Sequence, residues 1–356
     1  MNLEVLRRIS YIQTADRTNC PIRNDNSGSA FDTLRPDLLA HKLVNLNINP
    51  YLIKWLHSLL TSRPQQVVVN GVLSCSKHSS MGVPQGGVCS PLLFTAYTND
   101  FRSNHPKNHI VKFSDDTVVL SLLCAGDDPM VYFQEVSSFV AKCEENSLIL
   151  NSNKTKEIIF DLMTNRAHDP VVIGECSIEQ VSSYKYLGVQ LDNLLKWNIH
   201  VDYLCSKLAQ RLHFLRRLRV FGVSTNIMLT FYNAVLGSLI RYSMAAWYGS
   251  LSVQLKNKVN NMVKLAMKVM GLTKYPPLQS IYEDRVTALA RSILRDPSHF
   301  LFAEYELLPS RKRFRAKKCK SNRYKQSFIP SSVTQLNKHP LPEGLVPLGP
   351  QVGAET

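Results

Sequence analysis

Two acidic residues stand side by side, Asp115 and Asp116, between two runs of strand-forming side chains. Ile110, Val111 and Phe113 precede them; Thr117, Val118, Val119 and Leu120 follow. β-branched and aromatic residues suit a pleated sheet, and Ser114-Asp115-Asp116 suits a turn, so the segment predicts a β-hairpin carrying carboxylates at its tip. Adjacent carboxylates repel one another, and a bound cation relieves the repulsion. Divalent metal binding is one reading of the pair. An ordinary Asp-rich surface turn is the other, because Asp favours turns.

The surrounding pattern is mixed. Residues 36–62 carry leucines and isoleucines at helical spacing, and Pro50 divides them into two helices. Val67, Val68 and Val69, then Asn70-Gly71, then Val72 and Leu73 read as strand, turn and strand. Helices are expected over 90–103 and 130–147, and short strands near 156–161, 170–173 and 184–191. This alternation predicts an α+β layer. Residues 1–29 are polar and aperiodic, and the run from Thr18 to Gly28 reads as loop. From about 197 the pattern turns helical, with segments near 198–221, 225–248, 252–270 and 279–295. Residues 311–325 hold nine Lys or Arg with Phe314 and Tyr324 interleaved, and the last thirty residues look like a disordered tail.

Charge and apolar content bound the function classes. The 356 residues include 42 Lys plus Arg against 27 Asp plus Glu, a formal charge of +15 that points to a polyanionic partner, nucleic acid first. A hydrophobic share of 44% is enough for a packed core, which excludes wholesale disorder. No run of 18 apolar residues offers a spanning helix, and the start lacks the apolar stretch of a secretory signal. The eight cysteines form no CxxC pair and read as reduced thiols. The expected location is intracellular, nuclear or cytoplasmic.

Upstream of the double Asp lies Met81-Gly82-Val83-Pro84-Gln85-Gly86-Gly87-Val88-Cys89-Ser90-Pro91, followed by Tyr97-Thr98-Asn99-Asp100. This run resembles motif B of the reverse transcriptases of non-LTR (LINE-type, jockey-like) retrotransposons. Phe113-Ser114-Asp115-Asp116 resembles their motif C, Leu150-Asn151-Ser152-Asn153-Lys154 their motif D, and Tyr184-Lys185-Tyr186-Leu187-Gly188-Val189 their motif E. Ser29-Ala30-Phe31-Asp32 is similar to the back half of motif A. The resemblance spans roughly 27–337. It implies an α+β fold: an unmatched segment 1–26, an incomplete reverse-transcriptase palm over 27–195, a helical thumb-like region over 196–300, and a basic, partly disordered tail over 301–356.

The resemblance also implies roles. RNA-directed DNA synthesis transfers a nucleotide to a primer end with magnesium or manganese ions (Mg2+ or Mn2+) as cofactor. Asp115 and Asp116 would hold the metal, and Lys154 would stand near the departing phosphates. Phe31, Gln85 and Gly86 would line the nucleotide, with Phe31 as the gate against a ribose 2′-hydroxyl. Leu187 and Gly188 would shape the primer grip. Arg211, Arg216 and Arg217 on the first long helix, and Arg311, Lys312, Arg313, Arg315, Lys317 and Lys318 in the basic run, would contact nucleic acid, with Phe314 and Tyr324 free to stack on bases. The partners would be an RNA template and a DNA primer or target, with no membrane.

The chain departs from the family at one decisive place. Motif A begins with a catalytic Asp four residues before its Ala-Phe pair, and that position here is Asn26, with Asp25 one place off. Strand side chains alternate faces, so a one-residue slip turns a carboxylate away. Residues 17–26 also lack a strand's apolar pattern, which predicts that the sheet beside the double-Asp hairpin exposes an edge or pairs differently. Because the motif A Asp and the upstream fingers are missing, the expected state is a truncated, inactive chain. Two other readings stand beside it: a non-catalytic nucleic-acid binder, and a non-haem iron oxygenase built on His200 and Asp202 with His213 or His299 as third ligand.

Overall fold

The computed structural model describes residues 5–15, 30–84, 86–124, 127–160 and 168–338. Contacts divide the chain into two units, Met1–Tyr184 and Lys185–Thr356. The first combines a sheet with helices and the second is dominated by helices, so the α+β reading holds.

The first unit is built on one sheet. β1 (Val5–Ala15) lies at its centre, although the sequence there is polar and aperiodic and predicts no strand. The carboxylate hairpin forms as expected from β6 (Asn108–Phe113) and β7 (Asp116–Cys124). β1 runs antiparallel to β7 from Val5↔Cys124 to Gln13↔Asp116, and on its other side pairs with β9 (Lys156–Phe160). The order is β12 (Glu179–Gln180), β9, β1, β7, β6. The slot beside β7 is therefore filled by a strand that ends before 17–26, so of the two expected outcomes the sheet pairs differently. Backbone pairing needs no particular side chain, so a strand of adequate length satisfies both neighbours.

Helices cover one face of this sheet. α1 (Pro36–Asn45) and α2 (Pro50–Leu60) each start with Pro in the first turn, and Asn49 caps α2 by accepting from the Tyr51 amide at 2.9 Å. β3 (Val68–Val69) and β4 (Val72–Leu73) turn through Asn70 and Gly71, both at positive φ, as the Asn-Gly pair predicts. α3 (Ser90–Tyr97) and α4 (Met130–Glu145) complete the layer. Leu39, Leu60, Phe94, Tyr97, Tyr132 and Phe139 pack with Val119 and Leu123 of β7 into one core.

In the second unit, β14 (Val189–Asp192) leads into α5 (Asn198–Val220). The buried Asp192 carboxylate starts that helix: it accepts from the amides of Leu194, Lys196 and Trp197 at 2.9–3.1 Å. The expected helix over 225–248 is broken. α6 (Thr225–Phe231) widens into a π turn over Tyr232–Gly237, and after Arg241 the chain leaves helical geometry at Tyr242 and Ser243 (φ 48°). Arg211 donates to the Val235 carbonyl at 2.6 Å and Arg241 to that of Gly237 at 2.9 Å, so arginines serve the carbonyls of the wide turn. α9 (Val253–Met270) and α10 (Leu278–Leu294) pack with α5 around Trp247 and Tyr248.

The expected disordered tail is corrected over its first part. Residues 328–336 form a helix, Phe328–Leu336, which packs on α10 together with Tyr305 and Phe314. Phe314 is buried, and the Asn337 amide both accepts from its N–H and donates to its carbonyl. It is not free to stack on bases. Tyr324 remains exposed. Residues 339–356 lie outside the described residues.

The central position of β1 generates a test. Ile9 pairs with Leu120 on one side and Ile158 on the other. Ile9→Pro removes a ladder donor from the middle of the sheet and should cost at least about 2 kcal/mol. Hydrogen exchange should show lost amide protection in β7 and β9; unchanged protection there would contradict a central β1.

Candidate active site

The hairpin tip is short. Phe113 pairs with Asp116, leaving Ser114 and Asp115 as the loop, and Ser114 takes the positive φ (58°) that a two-residue turn requires. Asp115 and Asp116 are both half-buried and both engaged with neighbours. Their oxygens are hard donors of the kind that divalent cations take. Among the described residues, no third His, Cys, Asp or Glu joins them in a metal-sized cluster. Asp25 and Asn26, the two positions at issue for motif A, lie outside the described residues, as does Gln85.

The hairpin is tied to the helix before it. Lys112 lies three residues ahead of Asp115, and its ammonium caps the C-terminus of α3, donating to the Thr98 carbonyl and to Thr98 Oγ1. Lys42 of α1 does the same from the other side, donating to the Tyr97 carbonyl and to Asp100 Oδ1 at 2.7 Å. Cations at a helix C-terminus meet its exposed carbonyls and the negative end of its dipole. Burial pushes the Lys112 ammonium down to about 8, opposed in part by Asp100. Neither lysine was singled out from the sequence, where each reads as an ordinary surface cation. No sequence signal marks them, because Lys42 lies 55 residues and Lys112 14 residues from the carbonyl that each caps.

The loop ahead of α3 is held by backbone contact. Gly82 donates to the Leu34 carbonyl at 2.7 Å and Val83 to that of Phe31 at 2.9 Å. Gly82 has φ 74°, and a Cβ there would lie 2.7 Å from the Asp32 Cα. The residues that resemble motif A and motif B thus touch main chain to main chain, which only glycine permits. Phe31 is half-buried, with its ring 4.9 Å from that of Phe94. Gly86 also has positive φ (79°) but faces open space. Ser90 Oγ closes the loop by donating to the Pro84 carbonyl at 2.6 Å.

The remaining residues separate. Lys154 is exposed on a turn that Asn151 organises, accepting from the Lys154 amide at 3.1 Å. Leu187 and Gly188, both at positive φ, form the tip between β13 (Ser183–Tyr186) and β14. Tyr242 donates to the Leu187 carbonyl at 2.7 Å, a tie that the sequence did not suggest. Arg216 and Arg217 are exposed on α5, whereas the Arg211 guanidinium is half-buried against Val235. The basic run is folded: Leu308 and Arg313 bond across a turn at Arg311, and Arg315 pairs with Glu306 and Lys317 with Glu304. Arg311, Lys312, Arg313 and Lys318 stay exposed.

His200 and Asp202 do not converge. His200 is buried between Trp197 and Trp247, its Nδ1 accepting from the Gln190 amide at 3.3 Å. Asp202 is exposed and pairs with Lys258 at 2.5 Å. Residues two apart on a helix diverge, which removes the proposed iron ligand pair. Burial lowers the His200 imidazole to about 4.

Residues 19–191 match the family "Reverse transcriptase (RNA-dependent DNA polymerase)", which takes in the double-Asp hairpin, the Gly82 loop and the α3 helix. This segment is a reverse-transcriptase domain, similar to those of non-LTR retrotransposons. It is 28% identical over 199 residues to the probable RNA-directed DNA polymerase from transposon X-element of Drosophila melanogaster, covering 54% of this chain and 22% of that protein. It is 26% identical over 273 residues to the RNA-directed DNA polymerase from mobile element jockey of the same organism, covering 72% of this chain and 29% of that protein. The aligned part is thus less than a third of either relative. Residues 197–238 also match the family "Alkylated DNA repair protein alkB homolog 8, N-terminal", and this stretch holds the diverging His200 and Asp202. β1 precedes the matched segment. No described helix is long and apolar enough to cross a membrane.

Two outcomes test this geometry. Gly82→Ala should cost about 3 kcal/mol or more in urea unfolding, from a left-handed backbone together with a main-chain clash. Gly86→Ala, with the backbone term alone, should cost about 1 kcal/mol; equal costs would contradict the contact at Asp32. For His200, the unfolded imidazole near 6.5 takes a proton before the folded one near 4. Stability is therefore full above about 6.5 and falls as pH drops toward 4, by up to about 3 kcal/mol relative to a His200→Gln variant. A difference that does not change with pH would contradict the buried, neutral ring.

Proposed function

We propose that this chain carries the palm and thumb-like regions of an RNA-directed DNA polymerase, and that it binds nucleic acid while extending a primer poorly or not at all. The observation that carries the first half is the Asp115–Asp116 tip, tied through Lys112 to the end of α3. The observation behind the second half is Asn26 at the motif A position.

The residues fit a divalent ion in part. Asp115 and Asp116 would hold Mg2+ or Mn2+ through hard oxygens, and a carboxylate from motif A would complete the set. When bound, the ions activate the primer hydroxyl and neutralise charge on the departing pyrophosphate. Asn26 offers a neutral amide where that chemistry asks for charge. Phe31, Gln85 and Gly86 would line the incoming nucleotide, with the half-buried Phe31 ring braced on Phe94. Lys154, exposed on its turn, would donate a proton or charge toward the leaving phosphates. Leu187 and Gly188 would support the primer end, steadied by Tyr242. RNA template and DNA primer are the partners, met by Arg216, Arg217 and the exposed cations of the folded basic run.

Primer extension on an RNA template with Mg2+ or Mn2+ tests the reading. The unmodified chain should give little or no product, Asn26→Asp should give more, and Asn26→Asp combined with Asp115→Asn should give none. Robust extension by the unmodified chain would show that the metal site is complete without a carboxylate at position 26. Circular dichroism of each variant separates loss of chemistry from loss of fold.

A further inference from the structure

From residue 203 to residue 282 the chain contains eleven Lys or Arg and no Asp or Glu. With 27 acids in 356 residues, an eighty-residue stretch without one is a strong local excess of positive potential. The stretch includes most of α5, and the last turns of that helix carry an exposed pattern that core packing does not explain. Phe214 is 59% exposed and Phe221, at its C-cap, 69%. Arg217 stands between them on the same face, its guanidinium 5.0 Å from the Phe221 ring centre. Arg216 and Arg219 are exposed beside them, and the Arg219 guanidinium reaches toward Gly271 at the end of α9. Arg216, Arg217 and Arg219 have no acidic partner among the described residues.

Residues 214, 217 and 221 follow helical spacing, so the two rings lie on one face, about 10 Å apart along the axis. Each ring offers an open face to solvent, which costs free energy in the isolated chain. A polyanion with planar, apolar faces would cover the rings and neutralise the arginines together. Single-stranded nucleic acid has both features, because its bases are free to leave their own stack. A duplex hides its base faces and offers phosphates alone.

We infer that Phe214 and Phe221 are stacking platforms for bases of a single-stranded polynucleotide, with Arg216, Arg217 and Arg219 gripping its phosphates. This rests on the reading of the chain as a polymerase domain only for the kind of polymer supplied; the chemistry of the site is independent of the carboxylate hairpin. It also moves the stacking role from Phe314, which is buried, to two rings that are not.

The test is fluorescence anisotropy of the full chain with a short labelled single-stranded oligouridylate, in EDTA so that no metal step contributes. The Phe214→Ala/Phe221→Ala double variant should bind it on the order of 30-fold more weakly, with about equal affinity to the parent for a blunt duplex of the same length. Phe214→Tyr/Phe221→Tyr should restore single-strand binding, which a damaged fold would not allow. Because EDTA removes any metal step, the result reads the same way whether or not the polymerase reading holds. Unaltered single-strand binding in the double Ala variant would overturn the inference, as would equal losses on both polymers with no rescue by Tyr. So would vesicles rich in phosphatidylserine being the ligand whose capture depends on the two rings.

Discussion

Everything in the first unit hangs on the double ladder of β1. Nine residue pairs join it to β7, from Val5↔Cys124 to Gln13↔Asp116, and five join it to β9. Remove it, and two inner strands present rows of unpaired N–H and C=O groups beneath a layer of helices, which a folded chain does not tolerate. The same register brings the end of β1 level with Asp116, so the strand that closes the sheet also braces the carboxylate tip. Because β1 precedes the segment that matches the family, the slot is being satisfied by hydrogen bonding rather than by a family sequence. A sheet asks of its central strand an extended backbone without proline, and Val5–Ala15 meets that demand.

What was legible in the sequence was local. Asn70-Gly71 and Ser114-Asp115 announce hairpins because turn chemistry is decided within two residues, and Pro36 and Pro50 announce helix starts for the same reason. β1 was hidden because its Arg7-Arg8 pair interrupts any alternation, and its strand state is set by partners more than a hundred residues away. The break after Arg241 was hidden likewise, since the Tyr242 hydroxyl bonds a carbonyl 55 residues upstream. Phe314 looked exposed because its neighbours in sequence are cations, yet Tyr305 and Asn337 bury it from elsewhere in the chain.

The candidate site divides along the same line. The carboxylates and Gly82 stand out in the sequence because few residue types can do what they do. The lysines that hold the site do not, because lysine on a helix or strand is normally solvated. Lys112 becomes informative only once its burial is seen. A group whose charge is destabilised by burial stays in place because it caps α3 and shares the field of Asp100.

The framework around the carboxylate tip is built from contacts of its own. Lys42 and Lys112 cap α3, Gly82 rests on the Asp32 backbone, and β1 closes the sheet; none of these contacts uses the residue at position 26. Asp115 and Asp116, whose charges repel one another, are held in place by this framework. The proposed nucleic-acid contacts rest on similar terms, because the exposed arginines and aromatic rings on α5 depend on the helical core beneath them and not on the carboxylate hairpin. Folding and the proposed catalysis thus draw on different residues of this chain: the framework stands on Lys42, Lys112, Gly82 and β1, whereas the proposed metal site stands on carboxylates.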